Sequence, residues 1–250
     1  MRNRTLEGKT ALVAGGAGNV GEGIVCALID RGATVVVPSR SAEKLAALTD
    51  YLGPARAPHL LPFESDVGDF TRAAELVDQV VRDRGGIDLA VASLGGWWRG
   101  PDLCDLDLGA WSRVMRDNLQ AHFVCARHVL AAMRKRRQGT YVFIGGPGGI
   151  SYVAHSAPIA VAGSGQLALA QSFGRELRPH GVRVLQLFVA KVRTRERGRG
   201  PQPGWITPED IGHHIVDIHD DKVDRPEAMV RSFLPPGVPP VDAPELKSGG

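Results

Sequence analysis

The chain has 250 residues, a net charge of +3, 43% hydrophobic and 23% charged residues, which fits one large globular domain with a full core. So small a charge argues against a nucleic-acid partner, and no apolar run reaches the roughly 20 residues a membrane helix needs. Cys26, Cys104 and Cys125 form no CxxC pair and no metal-ligand spacing. Glycines arrive too early at the N-terminus for a signal peptide, so reduced thiols in a cytoplasmic protein are expected.

In chain order, short β-branched runs alternate with helical patterns, which predicts an α/β fold: a single Rossmann-type, doubly wound parallel sheet of six or seven strands with helices on both faces. Strand Thr10–Ala14 leads through a glycine-rich turn to a helix over Gly21–Arg31. Strand Thr34–Val37, helix Ala42–Tyr51, strand His59–Phe63, helix Thr71–Asp83 and strand Leu89–Ala92 follow. A long helix over Trp111–Met133 precedes strand Thr140–Ile144, helix Gly163–Leu177 and strand Val182–Phe188. Residues 192–204 lack periodicity and read as a mobile substrate loop, before a helix over Pro208–Val216 and a last strand over Met229–Leu234. The domain is expected to span 1–234, and the Pro-rich tail 235–250 to be weakly ordered.

The strongest motif is the strand–VAGGAGNVGEG–helix passage. Glycines let the backbone approach a pyrophosphate, and the helix N-terminus supplies unpaired N–H groups and positive potential. Gly15 and Gly21 bracket the turn, with Gly18, Asn19 and Val20 between them. The second strand ends Pro38-Ser39-Arg40 with no acid at its tip, where NAD-specific folds place one for the ribose. Arg40, with Ser39 beside it, suits a 2′-phosphate instead, so NADP(H) is favoured over NAD(H).

The turn AGGAGNVG resembles the TGxxxGxG turn of the short-chain dehydrogenase/reductase family, with Ala14 for Thr and Asn19 for the middle Gly. The resemblance runs from about Gly8 to Asp210. It implies that Asp66 and Val67 contact adenine, that Gly95 is the last residue of the NNAG segment, that Asn118 is the helical catalytic asparagine and that Thr194 touches the nicotinamide amide. It also implies a homodimer or homotetramer joined through the long helices Trp111–Met133 and Gly163–Leu177.

Aligned on Gly139–Ile144 and Phe173–Leu177, the family's catalytic Ser, Tyr and Lys fall on Gly146, Ile159 and Gly163, none capable of acid–base work. Tyr152 lies two helical turns too early to replace the tyrosine. Two glycines and an isoleucine suggest an open apolar space beside the nicotinamide, walled by Trp97 and Trp98, for a bulky, flat, largely apolar substrate. Tyr152, His155 and Lys191 are further expected pocket residues, and His155 is the candidate proton carrier because imidazole titrates near neutrality. His213, His214 and His219 lack metal-site spacing. Three functions stay open: an NADP(H)-dependent oxidoreductase of secondary metabolism with a non-standard proton donor, a non-redox cyclase, isomerase or dehydratase, and a dinucleotide-binding protein without activity.

Overall fold

The computed structural model describes residues 5–149, 151–195, 204–224 and 228–237. Seven strands, β1 (Thr10–Ala14), β2 (Thr34–Ser39), β3 (Leu60–Glu64), β4 (Leu89–Ala92), β5 (Gly139–Gly145), β6 (Val182–Val189) and β7 (Val230–Phe233), pair in parallel in the order β3-β2-β1-β4-β5-β6-β7. Helices α1 (Gly21–Asp30), α2 (Ala42–Arg56), α3 (Phe70–Arg84), α4 (Leu108–Met115), α5 (Ala121–Arg136), α6 (Ala157–Leu177) and α7 (Pro208–His219) cover both faces. Chain order reverses between β1 and β4, and the crevice beyond their C-terminal ends is where open α/β sheets bind ligands.

All five residues of β1 are buried, because alternate side chains enter opposite cores. Ala11 and Val13 pack with Ile24, Leu28 and Ile215 on one face. Leu12 and Ala14 pack with Leu76, Val80 and Leu130 on the other. Each large aliphatic side chain so buried contributes roughly 1.5–3 kcal/mol. On the first face α1 and α7 cross at backbone distance: a Cβ on Gly23 would lie 2.4 Å from Pro208 Cβ, and one on Gly212 2.5 Å from Ala27 Cβ. This close crossing fixes the first turn of α1, where the glycine-rich motif ends.

Several elements differ from the sequence expectation. The long helix over Trp111–Met133 is α4, a π-helical turn over Arg116–Gln120, and α5; such turns recur at functional sites. Helix α6 starts six residues before Gly163, with Ser156 at its N-cap and Pro158 in its first turn, a position proline favours. Helix α2 continues past Tyr51 to Arg56 across a kink at Gly53 (φ 67°). The expected mobile loop is tied at both stems: Val192 bridges Ile206 and Arg193 N–H donates to Ile206 O at 2.9 Å. Its middle, 196–203, and tail residues 238–250 lie outside the described residues.

Candidate functional site

β1 ends in a turn that only glycine permits at two points. Gly15 has φ +81°, and a Cβ there would lie 2.1 Å from Ser93 O; a Cβ on Gly21 would lie 2.0 Å from Gly15 O. The turn closes through Gly16 N–H to Val13 O (3.1 Å) and Gly18 N–H to Gly15 O (3.0 Å). Helix α1 then begins at Val20 with no side-chain cap, and Gly15, Gly18, Asn19, Val20 and Gly21 all line the crevice. A helix N-terminus left uncapped beside close-packed glycines fits a diphosphate.

One charge opposes that fit, and the fold offsets it. Glu22, buried in the first turn of α1, receives two hydrogen bonds from Arg195, Nε to Oε1 and Nη2 to Oε2, each 2.6 Å long. The guanidinium stacks 4.5 Å from the centre of the Tyr51 ring. A bidentate pair of this kind removes the repulsion an isolated carboxylate would exert on an anion.

The crevice has two chambers. The outer one, about 560 Å³, is lined by Ser39, Arg40, Lys44, Asp66, Val67 and Gly95, among others. Ser39 Oγ accepts from Ser41 N–H at 3.1 Å, and Asp66 Oδ1 accepts from Gly68 N–H at 2.8 Å. Arg40 is exposed and meets no carboxylate among the described residues, so both it and Lys44 present unpaired cations to this chamber. Trp98 lines the outer chamber only and folds back so far that a Cβ on Gly100 would lie 2.3 Å from its indole. It therefore does not wall the inner space, whereas Trp97 lines both chambers.

The inner chamber, about 820 Å³, is lined by Gly145, Gly146, Ile159, Gly163, Lys191 and Thr194, together with Asn118, His122 and Gln166. The expected open space exists at Gly146, where an added Cβ meets nothing within 4 Å. At Gly163 it does not: a Cβ there would lie 2.9 Å from Gly149 Cα, and Ser164 Oγ donates to Gly149 O at 2.6 Å. Backbone of the loop after β5 fills the space.

Asn118 sits in the π turn, its Nδ2 donating to Val114 O (3.1 Å) and its Oδ1 accepting from Gly96 N–H (2.9 Å). It thereby fixes the backbone after β4, and a Cβ on Gly95 (φ +83°) would lie 2.2 Å from its Oδ1. Lys191 has φ +50°, a left-handed conformation costly for a non-glycine residue and typical of sites that orient a side chain. His155 and Tyr152 line neither chamber. His155 Nδ1 lies 3.2 Å from Asp102 Oδ1 in a surface contact, and Tyr152 is 81% exposed.

His122 and Gln166 are cavity residues that the sequence reading missed. His122 shares the helical stripe of Cys125, Ala126 and Val129, and Gln166 that of Ala162 and Ala170, all buried. A polar residue breaking an apolar stripe was the available signal. Burial pushes the His122 imidazole down to about 4, so it is neutral near pH 7.

These features agree with the comparisons. The short chain dehydrogenase family model matches residues 9–200. The chain is 31% identical to (+)-borneol dehydrogenase 1 of Salvia officinalis, the match covering 73% of this chain and 69% of that protein. It is 32% identical to the 3-oxoacyl-acyl-carrier-protein reductase FabG of Vibrio cholerae serotype O1, covering 72% and 71%. Among solved structures, ElxO with NADP bound has a TM-score of 0.81 at 18% identity, covering 90% of this chain and 97% of that one. Levodione reductase has a TM-score of 0.82 at 20% identity, covering 91% and 96%. The chain belongs to the short-chain dehydrogenase/reductase family.

Proposed function

We propose that the chain is an NADP(H)-dependent oxidoreductase acting on a bulky, largely apolar small molecule of secondary metabolism, with a proton carrier other than the family's tyrosine. The observation that carries this reading is the uncapped N-terminus of α1 at the junction of the two chambers, with Arg40 and Lys44 at the outer one. The names of the relatives, a dehydrogenase and a reductase, and the NADP bound by ElxO support it. When bound, NADP(H) supplies or accepts the hydride.

The residues then divide the work. The amides of the Gly15–Gly21 turn hold the diphosphate, Ser39 and Arg40 the 2′-phosphate, Asp66 and Val67 the adenine, and Thr194 the carboxamide. Asn118 keeps the strand end after β4 in place. Trp97 gives the substrate a flat apolar wall. Gly146, Ile159 and Gly163 stand at the family's Ser, Tyr and Lys positions and transfer no proton. Lys191 lines the inner chamber, so it ranks above His155, which lines neither chamber and is turned toward Asp102. Phe123 is 42% exposed and stacks on Phe173, giving α5 and α6 an apolar outer face for a homodimer or homotetramer.

The experiment is to follow NADPH absorbance with a panel of bulky cyclic ketones, and NADP+ reduction with the matching alcohols. Turnover that falls at least about tenfold in Lys191→Met and persists in His155→Ala supports the reading. The lack of an acid–base group at Gly146, Ile159 and Gly163 favours a second reading, non-redox chemistry or nucleotide binding alone on the same scaffold. Product formed without any change in nucleotide absorbance would select non-redox chemistry, and nucleotide binding without product would select binding alone.

A further inference from the structure

The floor of the inner chamber carries a hydrogen-bond pattern that selects its ligand, provided that chamber receives the substrate as proposed above. Gln166 is 4% exposed and His122 1%, yet both line the chamber. Two carbonyls settle how their polar atoms are arranged. Leu94 O lies 3.2 Å from His122 Nε2, and a carbonyl only accepts, so Nε2 carries the imidazole's hydrogen. Ile144 O lies 3.0 Å from Gln166 Nε2, which puts the amide nitrogen on that side.

Gln166 Nε2 lies 3.3 Å from His122 Nδ1 and 3.4 Å from His122 Nε2, and of the two only Nδ1 has a lone pair to receive the second amide hydrogen. His122 is thereby satisfied at both nitrogens, and Gln166 has spent both of its donors. Asn118, one helical turn before His122, is likewise engaged at both polar atoms. Gln166 Oε1 is left, with no donor reaching it among the described residues.

That oxygen lies beside the backbone of Gly145, a chamber-lining residue. A Cβ on Gly145 would sit 2.8 Å from it, so the glycine leaves the oxygen uncovered. Behind the chamber lining, the fully buried Gln186 of β6 brings its Nε2 to 2.8 Å from that Cβ position as well, and that nitrogen donates to Leu187 O at 3.5 Å. The floor thus offers the chamber one side-chain acceptor, Gln166 Oε1, to which no described side chain donates.

We propose that Gln166 Oε1, held in place by His122, accepts a hydrogen bond from a hydroxyl of the substrate, so that the inner chamber takes an alcohol in preference to an oxygen compound that only accepts. Gln166 is a binding residue in this assignment and His122 a positioning residue. A ligand offering only a carbonyl or ether oxygen at that point would set two acceptors against each other.

The test uses two apolar cage compounds, the tertiary alcohol of adamantane and its methyl ether, neither of which can yield a hydride from the oxygen-bearing carbon. Each is titrated calorimetrically into the NADP+-saturated protein. The alcohol should bind about tenfold more tightly than the ether, the worth of one hydrogen bond to a buried acceptor. In Gln166→Met the ratio should fall to within about twofold while the ether's affinity is unchanged. His122→Phe should lower the ratio and His122→Gln, which keeps an acceptor for the amide, should restore it; a merely structural histidine would lower both affinities together.

The wild-type ratio alone decides the matter if a variant fails to fold. Equal affinities for the two compounds, or binding of neither by protein that binds the nucleotide, overturn the assignment. Protein that binds no nucleotide fails the functional reading instead.

Discussion

The two chambers of the crevice meet at the same glycine turn but are built by different means. Beyond that shared turn, the outer one works through backbone and loop: the Asp66 turn and two cations without carboxylate partners among the described residues. The inner one works through side chains rooted in the core, where His122 and Gln166 interrupt the apolar stripes of α5 and α6. Nucleotide binding by main-chain shape tolerates much sequence change around it. Chemistry done by side chains does not.

The contrast breaks most completely at Gly15. Gly15→Ala puts a methyl 2.1 Å from Ser93 O at φ +81°, and should cost about 2–4 kcal/mol of stability and abolish binding of both nicotinamide nucleotides, checked by thermal melting and calorimetry.

The inner chamber is sharpened by pH. Burial holds His122 at about 4 instead of 6.5, so the unfolded chain takes up the proton first as pH falls. Its contribution to stability is therefore complete above about 6.5, is lost between there and about 4, and levels off below. At about 1.4 kcal/mol for each pH unit, the loss is about 3 kcal/mol. His122→Phe should flatten the denaturant-measured stability curve across that window by this amount; identical wild-type and variant slopes would show that the imidazole titrates normally.

Much of the outer half was legible in the sequence. β1 and β4 have the boundaries read from their apolar runs, because Gly and Asp residues punctuate both, and the glycine turn lies between strand and helix as its spacing demands. The inner half was less so. No residue type announces a π turn, so α4 and α5 read as one helix. Gly163 looked like vacated space because the sequence does not show the Gly149 backbone pressed against it. Ser156 and Pro158 did mark the true start of α6, and the polar residues on two buried stripes did mark the floor. Neither signal is as conspicuous in a sequence as a loop residue such as His155.

Smaller effects separate the chambers further. Arg40→Asp should weaken NADPH binding about 10–100-fold, the value of a charge-assisted hydrogen bond, and improve NADH binding, both read by calorimetry. An unchanged nucleotide preference would remove Arg40 from the outer chamber's work. In the inner chamber, Gly163→Lys should destabilise by about 1–3 kcal/mol because it forces the 147–149 loop away. Gly146→Ser, facing open space, should stay within about 0.5 kcal/mol; equal melting temperatures for the two variants would contradict the packing described at Gly163.

The most direct measurement is a calorimetric titration of the wild-type protein with NADPH and, separately, NADH. Saturable binding of one nucleotide per chain, tighter for NADPH, is the result expected of a diphosphate seated on α1 with Arg40 at its far end. No heat of binding with either nucleotide would contradict the account.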